Sequence, residues 1–248
     1  MRRIFLIFGM VVALLLFAKD LDELFKVGDY FFNRGEYSDA MKSYREAENI
    51  APDNPQILWR LGAVYNRLAM NLMGKARIDT LHKANNYLTR TLKIDKDIAE
   101  AHCELAWNLA FMGLMEEDFQ NFTLASRIKE ELDYALKLDS KLAEAYFLYG
   151  LWNRQVGKIS ILKRKPHGLG DASDENALKN FEKAVQYDTD KAQYWLEYGF
   201  QTIAMGDTAK GLKLLRRASE TPQLPINKPY IEKANDVIRK LYEKETNK

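Results

Sequence analysis

The stretch LDELFKVGDYFFNRGEYSDAMKSYREAENIAPDN, residues 21–54, predicts two antiparallel helices joined by a tight turn. Small residues in it allow the two helices to approach closely, and large apolar residues fill the space between them. Gly35 permits the turn, and Pro52 ends the second helix because proline cannot continue the hydrogen-bond ladder. The small residues are Gly28, Ala40 and Ala47, and the large ones are Leu24, Val27, Phe31 and Tyr44. One such pair cannot bury its apolar face alone, so further copies are expected.

This spacing resembles the tetratricopeptide repeat, a 34-residue helix–turn–helix. Further copies follow without a break, and the second, third and fourth contain extra residues ahead of their second helix. In the second copy we expect these residues to lengthen the helices. The sequence therefore predicts an all-α fold, a right-handed superhelical array of about five helix hairpins with a C-terminal capping helix. We expect one domain, 19–248, with repeats at about 21–54, 55–98, 99–142, 143–191 and 192–225 and the cap at 228–246.

The fourth copy is interrupted by KRKPHGLGDASDEN, residues 163–176, which its proline and glycines predict to be a loop. Ser173 or Asp174 is placed to cap the helix that follows. Lys163, Arg164 and Lys165 form a local basic cluster on this loop. The cluster fits either a phosphate-rich or acidic partner or a merely solvated loop.

The first 18 residues form a separate segment. Arg2 and Arg3 precede an uninterrupted apolar run, 4–18. The run is short for a membrane-spanning helix, which needs roughly 20 residues, and suits the apolar core of a secretory signal. We therefore expect 1–18 to be a signal peptide, and the protein to be exported and periplasmic or envelope-associated. The alternative is an uncleaved anchor that holds the protein in the inner membrane by residues 4–18.

Charge gives no indication of a nucleic-acid partner. The chain has 37 basic and 35 acidic residues, and without Arg2 and Arg3 it has 35 of each. A neutral remainder is not attracted as a whole to nucleic acid or anionic lipid. We expect no nucleic-acid partner, and membrane contact only through the N-terminal segment if that segment stays uncleaved.

The residues that usually carry chemistry are sparse. The one cysteine, Cys103, excludes an intramolecular disulfide. The three histidines lack the spacing of metal ligands, and neither a phosphate-binding loop nor a Gly-x-Ser-x-Gly elbow occurs. We therefore predict no catalytic residue, no metal and no cofactor, and the chain is not expected to be an enzyme.

The enlarged middle repeats resemble the regulator of microtubule dynamics family. That family has a tetratricopeptide-like core with a stretched middle and a Gly-x-Trp in the enlarged repeat, here Gly150-Leu151-Trp152. The resemblance covers roughly residues 21–245 and implies the fold and a binding module, but no site residue. Together with the leader it indicates a bacterial, exported version. The segments that carry it are ILWRLGAVYNRLA (57–69), IKEELDYALKLDSKLAEAYFLYGLWNRQVGKIS (128–160) and ALKNFEKAVQYD (177–188).

In the tetratricopeptide family, fixed positions of each first helix line a concave groove in which peptides bind. The matching positions here are unusually apolar, which favours an apolar peptide or amphipathic helix held by aromatic anchors. Alternatively, the protruding helices or the cap fill the groove, and these residues belong to the core. The Lys and Asn of the family's carboxylate clamp are absent, so binding of a free C-terminal carboxylate is not expected. The candidate groove residues are Phe25, Trp59, Asn66, Arg67, Trp107, Phe147, Leu151, Arg154 and Phe200.

These features predict a non-catalytic protein–protein interaction scaffold of the bacterial cell envelope, with a protein or peptide partner. The alternative is an envelope carrier of a small molecule or lipid-like ligand, associated with a transporter. In that alternative the elongated middle repeats enclose an apolar cavity.

Overall fold

The computed structural model describes residues 21–115 and 122–246, and this part consists of helices and turns without a strand. The predicted all-α hairpin array with a C-terminal helix is confirmed. The predicted signal or anchor, 1–18, lies outside the described residues. The helices are α1 (21–34), α2 (Tyr37–Ile50), α3 (Pro55–Ala69), α4 (Gly74–Ile94), α5 (Ala99–Met115), α6 (Phe122–Leu138), α7 (Ala143–Gly157), α8 (Ile161–Arg164), α9 (Asp174–Tyr187), α10 (Ala192–Ala204), α11 (Thr208–Ser219) and α12 (Lys228–Thr246).

The helices group into two compact units, the first ending at Lys96 and the second starting at Asp97. The first unit contains α1 to α4 and the second α5 to α12. Within the units, the closest neighbours are the two helices of each hairpin, α3 with α4, α5 with α6, α7 with α9 and α10 with α11. The last helix, α12, packs on α11 and α10 and so covers the end of the second unit, as a capping helix does.

The small residues of the repeat stand where the helices of a hairpin meet. They are fully buried in both units, the alanines being Ala40, Ala47, Ala84, Ala135, Ala177, Ala184 and Ala218. In the two repeats of standard length the hairpin turn is made by Gly35 and Gly206, with φ of 85° and 97°. This left-handed conformation favours glycine, so the predicted role of Gly35 is confirmed. Val27 differs from expectation, because it is exposed and lies outside the cluster that α1, α2 and α3 form.

The extra residues of the second repeat mainly lengthen its second helix. α4 has 21 residues, whereas α2, its counterpart in the first repeat, has 14. α3 ends at Ala69, and its own length is an ordinary 15 residues. In the third repeat α5 and α6 have 17 residues each, and residues 116–121, which follow α5 and precede α6 in the sequence, lie outside the described part.

The Gly150-Leu151-Trp152 motif has a packing role. A Cβ added at Gly150 would lie 2.6 Å from Cδ1 of Phe181, so only glycine lets α7 approach α9 this closely. The indole Nε1 of Trp152 donates a hydrogen bond of 2.9 Å to the carbonyl oxygen of Ala125 in α6. The motif therefore fixes α7 between the hairpin partner α9 and the preceding helix α6.

Burial of a tyrosine between α6 and α7 predicts a loss of stability at alkaline pH. Burial and a 2.8 Å hydrogen bond to Asp133 raise the pKa of Tyr149 to about 12. The ordinary pKa of tyrosine is about 10, so the folded state keeps this proton while the unfolded state releases it. Stability should therefore fall as the pH rises from about 10 to about 12. Urea unfolding across this range should show a steeper fall in the wild type than in Tyr149→Phe, and equal slopes would contradict the assignment.

Within the described residues, no helix is both long enough and apolar enough to cross a bilayer.

Candidate functional site

Two of the four candidate groove residues of the first unit, Phe25 and Trp59, are brought together around an arginine. The guanidinium Cζ of Arg60 lies 4.7 Å from the ring centroid of Phe25 and 4.4 Å from that of Trp59. Both rings are half-buried and keep part of their surface in solvent. The Trp59 indole is fixed by a 2.9 Å hydrogen bond from Nε1 to Oε1 of Gln56. Phe25 on α1 and Trp59 with Arg60 on α3 form what we call the aromatic platform.

A carboxylate holds Arg60 in this position. Nε and Nη2 of Arg60 donate to the two oxygens of Asp29 at 2.8 and 2.9 Å, a bidentate pair. The hydroxyl of Tyr44 donates to Oδ1 of the same carboxylate at 2.5 Å. Burial, followed by this hydrogen bond to Asp29, raises the pKa of Tyr44, so the folded protein favours the protonated phenol that donates to Asp29. Asp29 thereby connects α1, α2 and α3, and the platform is rigid before any ligand binds.

Asn66 and Arg67, the other two candidates of the first unit, are buried. The guanidinium of Arg67 lies 5.6 Å from the ring centroid of Phe32. Their side chains therefore belong to the packed interior of the first unit. The platform rings, in contrast, keep part of their surface in solvent.

The candidates of the second unit lie in different environments. Trp107 is half-buried and stacks on Phe111 with ring centroids 4.9 Å apart. Leu151 is also half-buried. Phe147 is only 2% exposed and stacks on Tyr194 at 4.6 Å. Phe147 thus fits the alternative prediction that groove positions belong to the core. Trp107 and Leu151 fit it less well, because they are only half-buried.

Arg154 and Phe200 are tied to neighbouring helices. Nη2 of Arg154 donates to Oε2 of Glu197 at 2.7 Å, which joins α7 to α10. Its guanidinium also lies 5.4 Å from the ring centroid of Phe181. Phe200 packs against the buried cluster that α10, α11 and α12 share, with Lys233 of α12 over its ring at 5.3 Å. The capping helix therefore contacts Phe200 directly.

Sequence reasoning missed Arg60 and Glu197 as members of the site. Arg60 is at the sixth position of the second repeat, and its partner Asp29 at the ninth of the first. Opposite charges at these positions of consecutive first helices were the available signal, because such helices are neighbours in a repeat array. The aromatic pattern alone did not show which ring would meet a cation.

The basic cluster between α7 and α9 is divided by the fold. We call residues 158–173 the basic insertion. Lys163 and Lys165 are exposed, whereas Arg164 is 6% exposed. Nε of Arg164 donates to the carbonyl oxygen of Ile159 at 2.9 Å, and Nη1 to those of Leu169 and Gly170, both at 2.6 Å. Arg164 therefore organises the insertion and does not offer charge to a partner.

The predicted loop at 163–176 is more ordered than expected. Its first residues complete α8 and a 3₁₀ turn, Lys165–His167, which ends at Gly168 with φ of 74°. Leu169 and Ala172 are buried, and the ring of His167 stacks on Phe122 of α6 at 4.4 Å. The bonds of Arg164 to carbonyls on both sides of the turn explain this order. The predicted cap at Ser173 is confirmed, since its Oγ accepts a hydrogen bond from the amide of Asn176.

No group of three or more His, Cys, Asp or Glu side chains suited to a metal ion occurs among the described residues.

Comparison with known proteins identifies relatives of this chain. A family model described as "Regulator of microtubule dynamics protein 1-3" matches residues 24–245. The chain is similar to regulator of microtubule dynamics protein 1 of Bos taurus, with 25% identity over 183 residues. That match covers 68% of this chain and 55% of the relative, so the chain spans about half the length of the curated protein.

Comparison with solved structures gives several matches. TTC0263, a thermophilic TPR protein of Thermus thermophilus, superposes with a TM-score of 0.62 and 12% identity, covering 86% of this chain and 98% of that one. This similarity supports the tetratricopeptide fold. MamA gives a TM-score of 0.43 at 19% identity, covering 82% of this chain and 92% of its own. YrrB, a TPR protein with an unusual peptide-binding site, gives 0.42 at 15% identity, covering 82% and 90%.

Proposed function

The chain belongs to the regulator of microtubule dynamics protein 1-3 family, and from its tetratricopeptide array we propose that it is a non-catalytic protein-interaction scaffold. The proposed site of action is the bacterial cell envelope, supported by the signal-like composition of residues 1–18. The proposed partner is a protein or peptide that presents an apolar segment. The name of the bovine relative refers to microtubules, and an exported protein would not meet that partner.

The aromatic platform is the observation that carries the proposal. Trp, Tyr and Arg side chains dominate the energetics of protein interfaces, and here Trp59 and Arg60 stand next to Phe25 in one cluster. The partly exposed rings offer apolar surface to a leucine or phenylalanine of a partner. Asp29 keeps part of its carboxylate in solvent, so it can accept a hydrogen bond from the partner while it holds Arg60.

Rigidity supports the same conclusion. Ordering a long, flexible side chain on binding lowers affinity, and residues that are already fixed avoid this loss. Arg60 is fixed by both oxygens of Asp29, and Trp59 by Gln56. The platform therefore presents its surface in one arrangement, as expected for a recognition site rather than for solvated side chains.

A substitution in the aromatic platform tests the proposal. Partners are captured from envelope extracts by a photo-crosslinking amino acid placed at position 59, and the affinity of the captured segment is then measured by calorimetry. Trp59→Ala is expected to weaken binding at least about 10-fold, since truncation of an interface tryptophan commonly costs about 2 kcal/mol or more.

The matched control is Tyr30→Ala. Tyr30 is an exposed aromatic residue of α1, five residues from Phe25 and so about 140° away around a helix of 3.6 residues per turn. Tyr30→Ala should bind the partner with the affinity of the wild type. A crosslinker placed at position 30 should capture the partner only at the background level. Full affinity in Trp59→Ala would refute the assignment of the aromatic platform as the binding site. The small-molecule carrier remains an alternative prediction.

A further inference from the structure

The basic insertion exposes two neighbouring aliphatic side chains. Leu162 is 84% exposed and Ile161 is 52% exposed, and both belong to the single turn of α8. Apolar surface of this kind gains free energy when it leaves water. A polar residue would serve equally well in a turn that is only solvated, so the pair calls for an occupant of matching chemistry.

Positively charged residues flank this pair in the sequence. Lys158, Lys163 and Lys165 are exposed, and between 158 and 170 the sequence contains no Asp or Glu. In the described part of the chain, neither Lys163 nor Lys165 is paired with a carboxylate. The insertion thus combines aliphatic side chains with unneutralised lysines within a few residues, although the protein after residue 18 is neutral as a whole.

The exposure of the pair is built into the structure. Arg164 donates to carbonyl oxygens before and after the turn, and Leu169 anchors the insertion in the interior of the second unit. The His167 ring stacks on Phe122, and the hydroxyl of Ser126 donates to the carbonyl oxygen of His167 at 3.2 Å. These contacts hold the insertion against α6, while Ile161 and Leu162 stay exposed.

We propose that the tip of the insertion, residues 158–165, docks onto the surface of an anionic lipid bilayer. Aliphatic side chains enter the boundary between headgroups and acyl chains, while lysine ammonium groups reach the lipid phosphates along their flexible stems. A lipid bilayer can bury a side chain as exposed as that of Leu162, because the acyl chains adapt to its shape and no preformed pocket is needed. An acidic protein partner is less favoured, because the tip lacks the exposed Trp, Tyr and Arg that dominate protein interfaces.

A single short turn gives weak, reversible attachment, since stable membrane anchoring takes two signals. The tip therefore acts as an auxiliary contact that orients a protein already held near a membrane. Because the attraction is electrostatic, it should weaken as ionic strength rises. The proposal uses residues outside the aromatic platform and stands or falls separately from the proposed peptide binding.

An environment-sensitive fluorophore at position 162 tests the docking in the full chain. Leu162→Cys is labelled with nitrobenzoxadiazole, and the native Cys103 is buried, which directs the label to the new thiol. The protein is reconstituted with vesicles of phosphatidylcholine alone or of equal parts phosphatidylcholine and phosphatidylglycerol. We expect a blue shift of the emission with the anionic vesicles at low ionic strength, and emission as in buffer with neutral vesicles.

Two controls separate this contact from attachment through the N-terminal segment. Met73→Cys carries the same label in the first unit, where Met73 is 83% exposed, and its emission should stay unshifted. Lys163→Glu combined with Lys165→Glu should abolish the shift at position 162. Lys93→Glu combined with Lys213→Glu changes the net charge equally at exposed sites elsewhere and should preserve it.

The outcomes decide between partners. A blue shift that needs anionic lipid and both lysines supports the proposal. No shift at position 162, an equal shift with neutral vesicles, or a shift that survives the lysine reversal overturns it. A shift produced by soluble polyglutamate but not by anionic vesicles assigns the tip to an acidic protein and likewise overturns it.

Discussion

Substitution of Phe181 by alanine is expected to destabilise the second unit by about 3–5 kcal/mol, the usual cost of removing a buried phenylalanine ring. Phe181 is 0% exposed. Its ring lies against Gly150, where the absence of a side chain admits it, and 6.1 Å from the ring of Phe147. The guanidinium of Arg154 covers it at 5.4 Å. The packing of α7 on α9 thus depends on one ring, and the cavity left by alanine cannot close without moving the helices.

Urea unfolding followed by circular dichroism measures this loss. Phe181→Leu is the matched control, since a nearly volume-conserving apolar substitution usually costs less than about 1.5 kcal/mol. Hydrogen exchange should locate the loosened contacts in α7 and α9 before other helices are affected. A loss below about 1 kcal/mol in Phe181→Ala would show that the hairpin repacks around the missing ring.

The elements of the fold that sequence predicts are those set by local spacing. Gly28, Gly150 and Ala40 mark close helix contacts because a larger side chain at these positions would collide with the partner helix. Gly35 marks the turn because its φ of 85° disfavours other residues, and Ser173 marks a helix start because its hydroxyl satisfies a free amide. Each requirement involves one position and one partner helix, so it leaves a regular trace in the sequence.

Contacts that depend on the path of the backbone or on packing between distant helices are not marked by spacing in this way. Arg164 stands between two lysines and has the same charge, yet it alone is buried. The planar guanidinium can serve three carbonyl oxygens at once, an arrangement that depends on the path of the backbone through the insertion. Phe25 and Phe147 occupy the same repeat position but differ in exposure, because Tyr194 stacks on Phe147. Such differences arise from long-range packing and could not be read from spacing.

Replacing Gly28 with valine is expected to damage both the first unit and the aromatic platform. A Cβ at this position would lie 2.3 Å from Cε1 of Tyr44 and 2.8 Å from its Cζ. The ring cannot swing away easily, because it is buried and its hydroxyl is bonded to Asp29. Overpacking of this kind costs about 1–3 kcal/mol. Valine is a slightly better helix former than glycine, so any loss of stability must come from the collision.

The collision also reaches the ligand-binding surface. Moving Tyr44 pulls on the carboxylate that holds Arg60 between Phe25 and Trp59. Gly28→Val should therefore lower the free energy of unfolding in urea and alter the emission of Trp59 in the folded state. The control is Gly170→Ala, because a Cβ at Gly170 would meet its nearest neighbour at an ordinary 3.5 Å. This control should change the free energy of unfolding by less than about 0.5 kcal/mol. A double-mutant cycle with Tyr44→Ala isolates the cause. Gly28→Val should be tolerated once the ring is gone, with a coupling of at least about 1 kcal/mol, and additive effects would mean that Tyr44 is not the residue that requires glycine here.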